Sequence, residues 1–197
     1  MNLLAHAYLS FGDPALLVGN MISDYVKGKK QYAYPIDIQK GIRLHRAIDA
    51  FTDSHPATAR GKAIFKPAVG LYAGAFMDVV YDHFLALDHT QLDLVGWQNF
   101  SQGVYASLHE QSDFLPEKFA RMLPFMQTQD WLFNYRYTWG IEKSFGGLVR
   151  RAAYLNDSAP AFDLFVVNLP YLEECYQAFF PAVKKMAELE WRNLQNL

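Results

Sequence analysis

The hydrophobic positions of this chain return with a helical period along almost its whole length. Over residues 92–110 the apolar positions recur every three or four residues, at Leu94, Trp97, Phe100, Val104, Tyr105 and Leu108. That spacing places them on one face of a helix. The alternation and hairpin turns typical of strands do not occur in the sequence. The pattern predicts an all-α protein built as a helical bundle.

Prolines and capping residues set the predicted helix boundaries. Asp13 and Pro14 form the start of one helix, and a central helix opens at Pro35 and closes before Pro56. We predict helices over residues 2–11, 14–27, 37–55, 57–66, 69–89, 92–110, 117–126, 128–138, 141–156 and 161–195, the last broken near Pro170 or Pro181. Residues 28–34 are predicted to form a polar loop. No repeat or linker divides the chain, so we expect one domain over residues 1–197.

The central predicted helix carries a polar stripe within the stretch Gly41–Pro56, GIRLHRAIDAFTDSHP. His45, Asp49 and Asp53 are spaced at i, i+4 and i+8, so they project from one face of the helix. The apolar residues between them make the rest of this helix suitable for burial. A buried polar stripe is costly unless its members are paired or hold a metal.

A second stretch, Asp78–Asp88 (DVVYDHFLALD), has the same character. Asp78 and Asp82 are four residues apart, and His83 follows Asp82 directly. Two such helices facing each other would form a metal cage. Imidazole and carboxylate ligands without thiolates suit manganese, iron, zinc or magnesium. The residues that could form such a site, all before residue 84, are His6, Asp24, His45, Asp49, Asp53, Asp78, Asp82 and His83.

A purely structural explanation stays open for several of these residues. A single helical histidine such as His6 is often a packed or capping residue. Asp49 and Asp53 have the arginine neighbours Arg43, Arg46 and Arg60, with which they could form salt bridges. The cluster in residues 78–83 lies among large apolar side chains, so a metal site is the favoured interpretation there.

Composition narrows the class of partner. The formal net charge of −2 gives no basic field, which argues against nucleic acid as the main partner. Cys175 is the single cysteine, so neither an internal disulfide nor a thiolate zinc cluster can form. The first thirteen residues do not have the pattern expected of a signal peptide, and no run of eighteen apolar residues is present. We therefore expect a cytoplasmic protein without a membrane partner.

Four ordered motifs resemble one known family. They are MNLLAH at the start, GNxxxDYVKG at residues 19–28, and the two stretches quoted above. Together they closely resemble the acyl carrier protein phosphodiesterases, and the later segment WLFNYRYTWGI at 131–141 and the pair Arg150-Arg151 extend the likeness. The resemblance implies an all-helical fold of the HD phosphohydrolase type. It also implies manganese as cofactor, with Mg²⁺, Fe²⁺ or Zn²⁺ as alternatives.

The activity that this resemblance implies is hydrolysis of the phosphodiester between 4′-phosphopantetheine and a serine of holo acyl carrier protein. The products are apo carrier protein and 4′-phosphopantetheine. A metal-bound water would attack phosphorus, and Arg46 would steady the charge on the phosphoryl oxygens. The expected catalytic residues are Asp24, His45, Arg46, Asp49 and Asp78. The resemblance and the spacing together imply that the ion is held by some of His6, Asp24, His45, Asp78, Asp82 and His83. Asp82 and His83 are the foremost expected ligands, and Asp49 is expected to orient an imidazole or an arginine.

The expected protein partner is acidic, so docking would use basic residues. The candidates are Lys27, Lys29, Lys30, Arg43, Arg46, Arg60, Lys62 and Lys66. Two other functions stay open at this point. One is a related phosphohydrolase that acts on a nucleotide or another small phosphodiester. The other is a non-catalytic helical binding domain whose polar residues form buried ion pairs.

Overall fold

Within residues 1–195, which a computed structural model describes, the chain forms α-helices and short 3₁₀ turns and no β-strand. The predicted all-α class is confirmed, whereas the likeness to the HD phosphohydrolase fold stays a prediction. The helices are α1 (Leu3–Tyr8), α2 (Pro14–Ile22), α3 (Ile36–Ser54), α4 (Pro56–Val69), α5 (Ala73–Leu87), α6 (Leu94–Glu110), α7 (Glu117–Thr128), α8 (Trp131–Asn134), α9 (Thr138–Arg151), α10 (Ala159–Val167) and α11 (Leu169–Gln195). The 3₁₀ turns are Ser23–Tyr25, Gly28–Ala33, Gly70–Tyr72 and Ser112–Phe114.

The tightest helix contact joins α2 to α3 through two glycines. A Cβ on Gly19 would lie 2.1 Å from the carbonyl oxygen of Ile38, and a Cβ on Gly41 would lie 2.3 Å from that of Leu16. Only glycine permits this approach, because the obstructing atoms belong to the backbone of the facing helix. The contact brings Asn20 of α2 against the face of α3 that carries the polar stripe.

The core is centred on α5, which packs against α1, α4, α9 and α11. Phe76 of α5 is fully buried between Phe65 of α4 and Phe145 of α9, with ring centroids 6.3 and 4.6 Å away. Tyr81 stacks on Phe179 of α11 at 4.4 Å. The second half of the chain thus completes the core beneath the polar residues of the first half.

Several helix boundaries differ from the predicted ones for local reasons. α4 runs through Pro67 instead of ending before it. Pro67 lies in the last turn and is exposed, so the single backbone hydrogen bond that it removes costs little there. α2 ends at Ile22 and continues as a 3₁₀ turn, and the predicted loop after it also forms a 3₁₀ turn. The final break falls at Asn168, and α11 continues through Pro181.

By length and composition alone, Pro56–Leu87 would be apolar enough to cross a membrane. In the fold this stretch is two helices, α4 and α5, separated by the turn Gly70–Tyr72, where Gly70 has φ +55°. The two helices pack against each other, as core helices of a globular protein do.

Candidate metal centre

Two histidines and one aspartate converge from helices that are distant in sequence. His6 comes from α1, and His45 and Asp49 come from neighbouring turns of α3. One ligand atom from each lies within 4.8 Å of the other two. The imidazole rings of His6 and His45 stack at a centroid distance of 3.9 Å, with 17° between their planes. The i, i+4 stripe of α3 therefore meets a ligand from α1.

Asn20 accepts a hydrogen bond from the Nδ1 of each ring. The Nδ1 of His6 lies 2.8 Å from the side-chain oxygen of Asn20, and the Nδ1 of His45 lies 2.7 Å from its main-chain oxygen. The amide nitrogen of Asn20 donates to the carbonyl of His6 and to the hydroxyl of Ser10, which orients the amide. Because a carbonyl oxygen only accepts, each Nδ1 carries the hydrogen. Each Nε2 lone pair is then available to a metal when that atom is deprotonated.

The Nε2 atoms have the environment of metal ligands. Both are buried, and neither makes a well-aligned hydrogen bond with any described residue. Yet Asp49 places one oxygen 3.2 Å from the Nε2 of His6 and the other 3.0 Å from that of His45. Asp24, an exposed residue on the turn after α2, lies 3.3 Å from the same atom of His45. Two imidazoles and two carboxylates that point to one shared space at these distances fit a divalent cation.

The charges in this group are strongly coupled. Burial alone would lower the pKa of His45, but the carboxylates of Asp24 and Asp49 outweigh it and raise that pKa to about 9. Burial and the neighbouring charge of His45 lower the pKa of His6 to about 4. Burial would raise the pKa of Asp49, yet the two imidazoles hold it below its ordinary value. Without a cation the group holds one imidazolium, whose proton a divalent ion would displace.

Asp78 borders the group from α5. One of its oxygens accepts a hydrogen bond of 3.0 Å from the amino group of Met1, which also lies 3.5 Å from Asp49. Burial raises the pKa of Asp78, although the Met1 amino group acts in the opposite direction. Asp78 thus connects to Asp49 through Met1 and forms no ion pair with either imidazole.

Asp82 and His83 have other partners. Asp82 is fully buried, and its two oxygens accept from the backbone N–H groups of Leu4 and Ala5 at 2.7 and 3.2 Å. His83 has its Nδ1 2.7 Å from the carbonyl oxygen of Tyr135. The geometry does not bring either side chain into the group with His6 and His45. Adjacent residues of a helix point about 100° apart, so Asp82 faces α1 whereas His83 faces the α8–α9 segment.

Arg46 is also occupied elsewhere. Its guanidinium donates to the side chain of Gln31 at 2.8 Å and to the carbonyl of Val26 at 3.1 Å.

Asn20, by contrast, was not singled out from the sequence as a site residue. A carboxamide in the otherwise apolar helix α2 is the signal that could have identified it.

A cavity of about 1220 Å³ lies beside the group. One wall includes His6, His45, Asp24 and Asp78. The elements α8 and α9 also line it and contribute aromatic and basic side chains: Trp131, Tyr135, Trp139, Lys143, Arg150 and Arg151. This volume accommodates a ligand of the size of an extended organic phosphodiester.

Comparison with known proteins assigns the chain to a family. The family model described as acyl carrier protein phosphodiesterase matches residues 1–183. The chain belongs to this family. It is 28% identical to the acyl carrier protein phosphodiesterase of Photorhabdus laumondii over 189 residues, which cover 95% of this chain and 96% of that protein. The protein of the same name from Enterobacter sp. (strain 638) is 29% identical over 192 residues, with 95% and 98% covered.

The resemblance read from the four motifs is therefore confirmed, and it extends across nearly the whole chain. No solved structure matches the chain. The two histidines and Asn20 lie within the matched residues, as do α8 and α9.

Proposed function

We propose that this protein hydrolyses the phosphodiester between 4′-phosphopantetheine and serine in holo acyl carrier protein, with a divalent metal as cofactor. The observation that carries the proposal is the convergence of two buried Nε2 atoms with the carboxylate of Asp49 beside a large cavity. The family and the names of the relatives supply the substrate. The products would be apo carrier protein and 4′-phosphopantetheine, and we place the reaction in the cytoplasm.

The proposed ligands are His6, His45 and Asp49, with Asp24 close enough to join them. We propose Mn²⁺, with Mg²⁺, Fe²⁺ or Zn²⁺ as alternatives that suit the same donors. When bound, the ion would polarise a phosphoryl oxygen and lower the pKa of a water molecule. Asp49, predicted to orient an imidazole, moves in this proposal to the ligand set.

The remaining residues would bind and orient the substrate. Asp24 is exposed to the cavity, so its carboxylate is accessible to accept a proton from a nucleophilic water. Asn20 would keep both Nε2 atoms directed toward the ion. Arg46 does not line the cavity and donates to Gln31 and Val26, so we assign it no role on the phosphoryl group.

Mass spectrometry of holo carrier protein, incubated with this protein and Mn²⁺, tests the proposal. We expect the carrier to lose the mass of phosphopantetheine with the unsubstituted protein, and to keep it with His45→Ala or with a chelator. His89→Ala is the matched control, because His89 is exposed and lies outside the group. If the carrier stays intact with every metal while a small phosphodiester is cleaved, the protein is a phosphodiesterase whose substrate is a small molecule and not the carrier.

Metal binding can be measured separately from turnover. An ion that binds only the folded state at one hundred times its dissociation constant adds about 2.7 kcal/mol to the free energy of unfolding. We expect Mn²⁺ to raise the melting temperature of the unsubstituted protein and of His89→Ala, but not that of His45→Ala. If Mn²⁺ shifts the melting temperature of all three proteins equally and none of them hydrolyses the carrier, a non-catalytic binding domain would be favoured.

A further inference from the structure

The basic residues of α9 form a second functional candidate on the wall of the cavity. Lys143, Arg150 and Arg151 all line it. None of the three forms an ion pair with a carboxylate in residues 1–195. Arg150 and Arg151 end α9, where the helix dipole favours cations, but Lys143 lies two turns earlier and needs another explanation. Glu142 is the carboxylate of α9 that also borders the cavity.

Two consecutive glycines separate Lys143 from the arginines. Gly146 and Gly147 lie inside α9 and line the cavity, although each glycine costs a helix about 1 kcal/mol relative to alanine. A Cβ at either position would meet Arg150 at 3.7 and 3.6 Å, which is ordinary contact, and no backbone atom. Packing within the chain therefore does not require these glycines, in contrast to Gly19 and Gly41. The flexible guanidinium of Arg150 lies over the helix backbone at these two positions.

An exposed aromatic extends the same face. Trp139 is 44% exposed, stacks on Tyr137 at 5.7 Å, and has the ammonium of Lys143 4.8 Å above its ring. Trp139, Lys143, Gly146, Gly147 and Arg150 follow i, i+4, i+7, i+8 and i+11, so they share one helix face. Exposed aromatics and arginines are the residues enriched in protein interfaces.

We infer that this α9 face, defined as Trp139, Lys143, Gly146, Gly147, Arg150 and Arg151, docks an acidic surface of the protein that carries the phosphodiester. The inference rests on the proposed function and names the surface that recognises its protein substrate. From Trp139 to Arg151 the face measures about 18 Å at 1.5 Å per residue, which exceeds one phosphate group. Its cations match an acidic partner, and its glycines permit close approach of that partner's backbone once the Arg150 side chain turns toward the partner.

The α9 face differs from the docking residues predicted from the sequence. Lys27, Lys29 and Lys30 are exposed and basic, but none of them lines the cavity. A carrier held on α9 would present its phosphodiester to the wall that contains His6 and His45. A carrier held on Lys29 and Lys30 would not be guided by the cavity lining.

The test compares two charge reversals of equal size. Arg150→Glu/Arg151→Glu changes the α9 face, and Lys29→Glu/Lys30→Glu is the matched control with the same change in net charge. We expect kcat/KM for holo carrier protein, divided by the rate on bis(p-nitrophenyl) phosphate, to fall about 100-fold with the first variant, mainly through KM. For the control we expect the same ratio to fall by less than about 3-fold. The loss should shrink as salt increases.

A second variant tests the glycines without altering charge. Gly146→Ala/Gly147→Ala should keep or raise the melting temperature, because both Cβ atoms fit, and should weaken binding of the carrier. Equal losses from both charge reversals, or equal losses on both substrates, would overturn the inference. Calorimetric titration with apo carrier protein separates it from the proposed function, since binding that depends on α9 would persist even if no turnover occurred.

Discussion

Gly41→Ala tests whether the contact between α2 and α3 sets the geometry of the site. Gly41 lies one turn before His45, and the new Cβ would lie 2.3 Å from the carbonyl oxygen of Leu16 and 2.8 Å from the Cα of Gly19. Ordinary contact begins near 3.4 Å. The two helices would therefore separate by about 1 Å, because backbone atoms cannot rotate away as a side chain does.

The magnitude follows from two opposing effects. Overpacking of this kind costs about 3 kcal/mol, at the upper end of its usual range. The greater helix propensity of alanine returns about 1 kcal/mol. We therefore expect a loss of about 2 kcal/mol in the free energy of unfolding. The same separation would lengthen the 2.7 Å contact between Asn20 and the Nδ1 of His45, so metal affinity should fall as well.

Urea unfolding followed by circular dichroism measures the effect, and Gly103→Ala is the control. Gly103 is an exposed position inside α6, and a Cβ there would meet no atom within 4 Å. The control should gain up to about 1 kcal/mol from helix propensity alone. If Gly41→Ala unfolds at the same urea concentration as the control, the close contact of α2 and α3 is not the constraint described here.

Three further results are expected. Asp82→Ala should lose about 3 kcal/mol in the free energy of unfolding, because two buried N–H groups lose their acceptor. Asp82→Asn keeps one acceptor oxygen and should still bind Mn²⁺ in a calorimetric titration. If Asp82→Asn folds but binds no Mn²⁺, Asp82 is a metal ligand. Asn20→Ala should weaken Mn²⁺ binding about 10- to 100-fold by freeing the His6 ring, and unchanged affinity would show that the ring is held otherwise. Partial burial acts to raise the pKa of Asp88, but hydrogen bonds from Thr90 and Tyr176 outweigh it and lower that pKa. This lowered pKa stabilises the folded protein above the unfolded-state pKa of Asp88, and the stabilisation is lost as the pH falls through the folded-state pKa. The difference in urea midpoint between the unsubstituted protein and Asp88→Asn should therefore shrink as the pH is lowered from the unfolded-state to the folded-state pKa. A gap that widens would contradict this.

The part of the site that lies on the single helix α3 could be predicted from the sequence. The i, i+4 spacing of His45 and Asp49 fixes their shared face once α3 is a helix, and the apolar residues around them predict burial. His6 was identified as a candidate by residue type alone. Its stacking on His45 depends on how α1 meets α3, which periodicity does not encode.

For Asp82 and His83, the sequence predicts burial but not the neighbouring residues. Both are buried, as the apolar pattern of α5 predicted, but burial does not state which neighbour each one faces. Asp82 meets backbone N–H groups of α1, and His83 meets a backbone carbonyl. Asn20 likewise acts partly through its main-chain oxygen. Backbone partners leave no trace in the identity of the residues that supply them.

The short helix α1 ties the site to a local folding equilibrium. It has six residues, too few for a stable isolated helix, yet it supplies one of the two imidazoles. Its buried residues Leu4 and Ala5 pack in the core, and hydrogen bonds to Asp82 and Asn20 add to this attachment, but α1 is much shorter than α2, α3 and α5. Detachment of α1 would dismantle the group without unfolding the protein, and an ion held by His6 would oppose it. Metal uptake would then appear first as slower hydrogen exchange at the amides of Leu4 and Ala5.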